Sequence, residues 1–255
     1  MEVHLISNNT ARRFVFEHHY SQVMPRITKL CIGGFENDIL VAVATLGYGV
    51  RPKHTIQKCF PGLSVGDYLE IGKLCVSDDM PRNSESQFIA KMIKLIRRAN
   101  PELMLLYSWA DGILGKPGYV YQASNFYFGG HIWTEMYLDA EGHRVHPRTM
   151  QGLSNGPRVG KFKTRRYETT RALGFTKYFG KQFRYVYPLC NKREWRDLMC
   201  QSPFTWQRGG YPKDGDCQWQ MQVNKGSREP CGMPSFTRTI YYNLPGVEQL
   251  TLMER

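Results

Sequence analysis

Apolar residues return every three or four positions along "PRNSESQFIAKMIKLIRRANP". Phe88, Ile89, Met92, Ile93 and Ile96 therefore share one face, while Lys91, Lys94, Arg97 and Arg98 fall elsewhere. This is the pattern of an amphipathic helix laid on a core. Ser84 followed by Gln87 predicts a capping box at its start, and Pro101 ends it. In "SNNTARRFVFEHHY" the same period follows cap-type residues, with Phe14, Val15 and His18 in phase, and predicts a helix over about 9–19. Between these helices the period shortens. "RITKLCIGGF" and "DILVAVATLGYGV" are β-rich runs joined by the turn "ENDI", and the second is almost wholly apolar, as a central strand covered on both faces should be. "DYLEIGKLCVSDD" predicts another strand, and Gly72 inside it predicts a bulge or a close backbone approach. A buried strand in "ELMLLYSWAD", a short helix in "YVYQASN" and a hairpin over "FYFGGHIWTEMYLDAEGHRVHPRT" complete the series. The order β-α-β-β-β-α-β-α-β predicts an α/β fold, a mixed central sheet with helices on both faces.

Beyond about residue 150 the periodicity fades and charge takes over. Residues 157–184 hold nine Lys/Arg and one acidic residue, interleaved with Phe162, Tyr167, Phe175, Tyr178, Phe179 and Phe183. Cations that neutralise phosphates and rings that accept an unstacked base are what nucleic-acid binding requires; a basic surface whose rings face the core is the plainer alternative. "RYVYPLC" reads as a strand, and residues 191–255 as a loop-rich extension. The whole chain carries 34 Lys+Arg against 22 Asp+Glu, a formal charge of +12, which puts nucleic acid ahead of an anionic membrane surface as a partner. Seven scattered cysteines without a C-x-x-C pair fit a reducing compartment and match no usual zinc spacing. With no apolar run of signal or membrane-span length, a soluble intracellular protein is expected.

Three stretches carry candidate chemistry. His18 and His19 end the first helix about 100° apart, so one can pack inward while the other faces a cleft as base or metal ligand; a partner for the helix dipole is the alternative. "DDMPRNSESQ" leaves amides at a helix N-terminus beside Arg82, Asn83, Ser84 and Ser86, an arrangement that suits phosphate or carboxylate and equally suits ordinary capping. In "YSWADGILGKPGYVYQASN", Asp111 lies just past the carboxyl end of a strand, where open α/β sheets place ligands. Tyr121 and Asn125 return toward it from the following helix as proton-transfer and hydrogen-bonding groups, or simply as packing and capping residues.

Taken in order, "HHYS", "LEIGKLCVSDDMPRNSESQFIAKMIKLIRR", "YSWADGILGKPGYVYQASNFYFGG" and "HRVHPRT" resemble the phage Mom DNA-modification proteins, whose fold resembles the GNAT acyltransferases. The likeness covers roughly residues 10–190. It implies a GNAT-like catalytic domain over 1–190, with 157–184 as its DNA-contact segment, followed by an extension of unknown role over 191–255. The implied activity is conversion of adenine in double-stranded DNA to an N6-carbamoylmethyl derivative, in the cytoplasm of the bacterial host, which shields phage DNA from restriction.

The family's functional set lands on His19, Tyr20, Lys73, Ser86, Asp111 and Tyr121. Lys73 departs from the family's arginine, keeping the charge without the planar fork. Asp111 and Tyr121 become the expected proton-transfer pair, with His19 next and Lys73 stabilising negative charge. Arg82, Asn83, Ser84 and Ser86 would hold the donor. Tyr20, Ser108 and Asn125 would hold the base, and Arg158, Lys161, Lys163, Arg165 and Arg166 the DNA. "MPRNSES" replaces the GNAT phosphate loop, which leaves the donor open between acetyl-CoA and glycyl-tRNA, so that tRNA becomes a second expected partner. A route from acetyl needs later oxidation or amidation, for which iron at His19 would serve. The competing readings are a GNAT acetyltransferase acting on a small molecule or protein, and a DNA-binding protein without catalysis.

Overall fold

The computed structural model describes residues 1–49, 52–145, 147, 149–150 and 166–241. Contacts divide the chain into two units. Unit 1 is Met1–Asp111, Lys116–Ile132 and Gln182–Lys213; unit 2 is Gly112–Gly115, Trp133–Lys181 and Asp214–Arg255.

In unit 1 the strands β1 (Glu2–Leu5), β2 (Leu30–Glu36), β3 (Ile39–Gly47) and β4 (Tyr68–Val76) pair antiparallel in that order. β5 (Leu105–Ala110) joins β4 in parallel, and Phe183–Pro188 at the end of β8 (Thr176–Pro188) returns antiparallel against β5. The sheet is mixed, as the element order predicts. The β2–β3 turn places Asn37 and Asp38 at φ 49° and 64°. A two-residue hairpin favours positive φ at both positions, and Asn and Asp tolerate it best among residues with a side chain.

Helices cover both faces. α1 (Asn8–His18) starts at Ser7, whose side chain accepts from the Thr10 N–H, and packs Ala11, Phe14 and Val15 on Cys31, Val43 and Cys75. Neighbouring strand residues point the other way. There Phe88 of α3 (Ser84–Ala99) lies so close to Gly34 that a Cβ on that glycine would come within 2.9 Å of its ring. The whole predicted apolar stripe of α3 is buried. Its predicted capping box is not formed. Asn83 precedes the helix in a left-handed conformation, φ 73°, without a side-chain cap, and Ser84 stands inside it. The turn from Pro81 takes up the serine instead, its N–H and its hydroxyl both donating to the Pro81 carbonyl.

α2 (Ile56–Cys59) and α6 (Lys192–Gln201) close a second core, in which Ile56, Phe60, Trp195 and Leu198 meet Tyr68, Leu105, Tyr107 and Val186. Asn191 caps α6 by accepting from the Arg193 and Glu194 N–H groups, and Glu194 accepts from the Asn191 N–H in return. That helix lies in a stretch whose turn-rich composition predicts loops. The short helix α4 (Tyr119–Ala123) forms as expected.

In unit 2 the last residues of β6 (Tyr127–Leu138) pair with β7 (Arg144–Val145) across the turn predicted at "DAEG", and β11 (Ile240–Tyr241) lies parallel to β7. α5 (Arg166–Ala172) leads into β8, whose residues Tyr178–Gly180 pair with β9 (Trp219–Asn224). β9 pairs in turn with β10 (Ser227–Cys231). Tyr137, Val145, Met150 and Phe175 form one core cluster, and Ile113, Met136 and Leu138 another.

One irregularity in unit 1 re-aims the side chains of β4. Thr45 of β3 faces Lys73, whereas the next residue, Leu46, faces Ile71, so Gly72 is an extra residue in β4. Thr45 and Gly47 point to the same side of β3, and their partners are Lys73 and Glu70. The bulge thereby puts Glu70 and Lys73 on one face, although their spacing of three would put them on opposite faces of a regular strand. Glycine is required sterically, because a Cβ at this position would come within 2.6 Å of the Pro25 ring. Gly72→Ala should lower stability by about 1–3 kcal/mol, the usual cost of forcing an extra carbon into a packed site. Urea unfolding checks this; a change within about 0.5 kcal/mol, the size typical of an inert surface substitution, would show that Pro25 gives way freely.

Candidate functional site

The parallel ladder between β4 and β5 stops at Ile71 and Ser108. Past that point the strands part, and a cavity of about 380 Å³ opens within unit 1. Glu70 to Val76 form one wall and Trp109, Ala110 and Asp111 the other. His18, His19 and Tyr20 enter from the end of α1, Glu85 from the first turn of α3, Lys116 from the β5–α4 loop, Val120 and Tyr121 from α4, and Gln182 from β8.

Asp111 is held at both oxygens. Tyr20 Oη donates to its Oδ2 at 2.5 Å, and Gln182 Nε2 donates to its Oδ1 at 3.0 Å. Two further groups contact the Tyr20 ring, the Lys116 ammonium 5.1 Å from its centre and the His19 ring at 4.1 Å. His19 is buried, its Nδ1 held by the backbone of Ser21.

Tyr121 is buried too, and the wholly buried Ser108 donates to its Oη at 2.7 Å. Burial pushes the Tyr121 phenol up to about 12 against the opposing pull of Ser108, and the Asp111 and Glu70 carboxylates add to the rise. At neutral pH it is therefore a donor. Ser108 Oγ also lies 3.3 Å from the Ile71 carbonyl, so its single proton serves either that carbonyl or the phenol oxygen, and the phenol proton is free for a ligand when Ser108 donates to Oη.

Glu70 behaves differently. Its carboxyl makes no hydrogen bond or ion pair with the described residues, and burial raises it to about 7. A group poised there exchanges protons at the pH at which most cellular enzymes work.

Five of the six residues marked by the family pattern, His19, Tyr20, Lys73, Asp111 and Tyr121, line this one cavity. The sixth, Ser86, does not; its hydroxyl donates to the Asn83 carbonyl. Arg82, Asn83 and Ser84 do not line it either, and from that turn only Glu85 does. Ser108 stands behind Tyr121. Asn125 is exposed, with φ 60°, in the turn that ends α4.

Of the expected DNA contacts, Arg158, Lys161, Lys163 and Arg165 lie outside the described residues, and Arg166 opens α5. Most of the interleaved rings that are described face inward: Phe175, Phe179 and Phe183 are buried. Lys177 pairs with Glu135 and sits over the Phe179 and Tyr137 rings. For those residues the plainer alternative, rings in the core, holds.

Sequence reasoning passed over Glu70, Glu85, Lys116 and Gln182. A signal for Glu70 was present, since it is the one acidic residue inside the apolar run "YLEIGKLCV", where a charge is seldom buried without purpose. Around His19 the described residues do not bring three His, Cys, Asp or Glu groups close enough together to share an ion. Among the described residues the one cluster of three His, Cys, Asp or Glu groups close enough to share an ion is Asp139, Glu141 and His143, in unit 2. No helix among the described residues is long and apolar enough to cross a membrane.

A sequence model of the Mom protein family matches residues 1–213. The methylcarbamoylase mom of Escherichia phage Mu is 34% identical over 179 residues, which cover 70% of this chain and 73% of that protein. Among solved structures, an N-acetyltransferase from Staphylococcus aureus Mu50 aligns with a TM-score of 0.38 and 17% identity, over 74% of this chain and 98% of its own. An aminoglycoside 6'-acetyltransferase type Ii aligns with a TM-score of 0.39 and 9% identity, over 75% of this chain and 99% of its own.

The raised carboxyl of Glu70 has a cost that stability measurements can read. The unfolded chain releases this proton near 4.5 and the folded chain near 7. Between those values the folded state holds the extra proton, so raising the pH across the window weakens folding. Glu70→Gln removes the penalty and should be more stable than the parent by about 3 kcal/mol at pH 8, at about 1.4 kcal/mol per pH unit, and no more stable near pH 4. Urea unfolding at the two pH values tests this. Equal stability at pH 8 would mean that water reaches the carboxyl freely.

Proposed function

The chain belongs to the Mom protein family, and we propose that it modifies adenine at N6 in phage DNA, installing a carbamoylmethyl group in the cytoplasm of the host bacterium. The observation that carries this reading is that five of the six family-pattern residues, separated by as much as 102 positions from His19 to Tyr121, line a single cavity. Its volume lies within the range of small-ligand pockets, and a base swung out of the duplex is a ligand of that kind.

In this reading the Tyr121 hydroxyl and the Lys73 ammonium stabilise the oxygen that gains charge when a carbonyl is attacked. Asp111, fixed by Tyr20 and Gln182, orients the incoming amine. The excess of 34 Lys+Arg over 22 Asp+Glu supports a polyanionic partner.

The donor we favour is a glycyl ester carried on tRNA. In the product, N6 is bonded to a CH2 rather than to an acyl carbon, so simple acetyl transfer does not reach it. If N6 displaces the tRNA oxygen from the glycyl carbonyl, an N6-glycyl amide results. The glycyl amine can then attack purine C6 through a five-membered ring and displace the original nitrogen, which becomes the terminal amide. All atoms are retained and no oxidant is needed.

Purified protein given plasmid DNA and either glycyl-tRNA or acetyl-CoA should yield N6-carbamoylmethyl deoxyadenosine only with glycyl-tRNA, as read by nucleoside mass spectrometry. Product from acetyl-CoA alone would overturn the donor. DNA from bacteria expressing the intact chain should carry the same nucleoside. Asp111→Ala and Tyr121→Phe should each lower it by about 100-fold, the scale of a lost proton-transfer or oxyanion contact, while DNA binding survives. Undiminished modification in both variants would remove this cavity from the reaction.

A further inference from the structure

We infer that Glu70 is the general base that takes the proton from the attacking amine, and that Asp111 is a positioning residue. The inference rests on the DNA-modifying reading and assigns the proton within it. Two carboxyls stand at opposite walls where β4 and β5 part, and their surroundings differ. Both Asp111 oxygens already accept a hydrogen bond, from Tyr20 at 2.5 Å and Gln182 at 3.0 Å. A carboxylate engaged at both oxygens is fixed in position, with each oxygen already committed to a donor. Glu70 has no such partner among the described residues, and the bulge at Gly72 turns it to the same face as Lys73.

Among the described residues, the immediate surroundings of Glu70 crowd its side chain without hydrogen-bonding it. Gly49, at φ 69°, comes so near that a Cβ there would lie 2.1 Å from Glu70 Oε2. Tyr107 faces it across the β4–β5 ladder and Tyr68 lies two residues before it. Both phenols are driven well above their ordinary range by burial, so neither is a proton donor or acceptor of consequence near neutrality. Burial likewise leaves the Glu70 proton exchangeable near neutral pH, where a base is most useful.

The step balances as an acyl transfer from an ester. N6 forms a bond to the carbonyl carbon as its proton passes to a Glu70 oxygen. The carbonyl π pair moves to oxygen and returns as the bond to the leaving oxygen breaks. The proton on Glu70 then passes to that leaving oxygen, which regenerates the carboxylate. Tyr121, held protonated, supplies a hydrogen bond to the transient oxyanion without yielding its proton.

Other titratable groups face the same space and bear on any pH profile. From α1 come His18, His19 and Tyr20, and from α3 Glu85. Lys73 and Cys75 share β4 with Glu70, while Asp111, Lys116 and Tyr121 face it from β5, the following loop and α4. Variants are needed to separate Glu70 from these.

The test is modification of added plasmid DNA in lysates of bacteria expressing the full chain, which supply the natural donor, measured by nucleoside mass spectrometry from pH 5.5 to 8.5. The parent rate should rise through a limb centred near pH 7. Glu70→Gln should fall by about 100-fold or more and lose the limb, Glu70→Asp should keep a reduced rate with the limb present, and Asp111→Asn should be slower with the limb unchanged. Melting curves and DNA gel shifts of Glu70→Gln should match or exceed the parent, which separates lost chemistry from lost folding. Parent-level modification by Glu70→Gln, or a limb that vanishes in Asp111→Asn and persists in Glu70→Gln, overturns the assignment while leaving the DNA-modifying reading intact. Absence of modified adenine in the parent overturns that reading, and this assignment with it.

Discussion

The extra residue in β4 is the constraint on which the rest of unit 1 depends. A bulge forfeits ladder bonds and bends the strand, costs a protein accepts where the displaced side chains are worth re-aiming. Here it turns Glu70 and Lys73 to one face, and it sits one residue beyond the last β4–β5 pair, Ile71 with Ser108. The bend and the parting of the strands thus fall together, and the space they leave is the cavity. Pro25 packed against Gly72 keeps the bulge where it is, since no residue with a side chain fits beneath that ring without a shift.

The cavity wall then holds three carboxyls, Glu70, Glu85 and Asp111, beside two ammonium groups, Lys73 and Lys116. A site meant only to grip phosphate would not carry three acids. Neighbourhood divides their tasks, as it does wherever one site uses like groups for unlike work. Two donors fix Asp111, Glu85 stands exposed on the first turn of a helix, and Glu70 is desolvated with no hydrogen-bond partner among the described residues. Tyr121 is held in its protonated form by the same low polarity that raises Glu70.

How much of this was legible depended on whether the deciding interaction was local. The stripe of Phe88, Ile89, Met92, Ile93 and Ile96, the Asn37–Asp38 turn and the bulge at Gly72 all follow from neighbours in sequence, and all are found. The cap on α3 was misread because Pro81, three residues upstream, captures Ser84 before it can act as a cap. The helix over Lys192–Gln201 was hidden by the turn-rich residues around it, although Asn191 and Glu194 carry its capping box in plain view. In the candidate site, His19, Tyr20, Lys73, Asp111 and Tyr121 were marked by resemblance, while Gln182 could not have been, since it reaches Asp111 from 71 residues away. Glu70 fell between the two cases: its place in an apolar strand was visible, but its lack of a partner among the described residues is a property of the folded chain alone.

That absence bears on how the cavity is balanced. A half-buried carboxyl raised to about 7 would cost about 3 kcal/mol at pH 8, a large charge against the roughly 5–15 kcal/mol by which domains are stable, and glutamine has nearly the same shape without the cost. Stability by itself therefore selects against glutamate at this position. The cost also shifts with the ligand. In the proposed reaction a DNA backbone near the mouth would bring negative charge, which would raise the proton affinity of Glu70 further. Lys73, on the same face by virtue of the bulge, and Lys116, over the Tyr20 ring, line the same cavity and bring positive charge to its wall. At position 73 lysine keeps the positive charge on that wall without the planar fork of arginine.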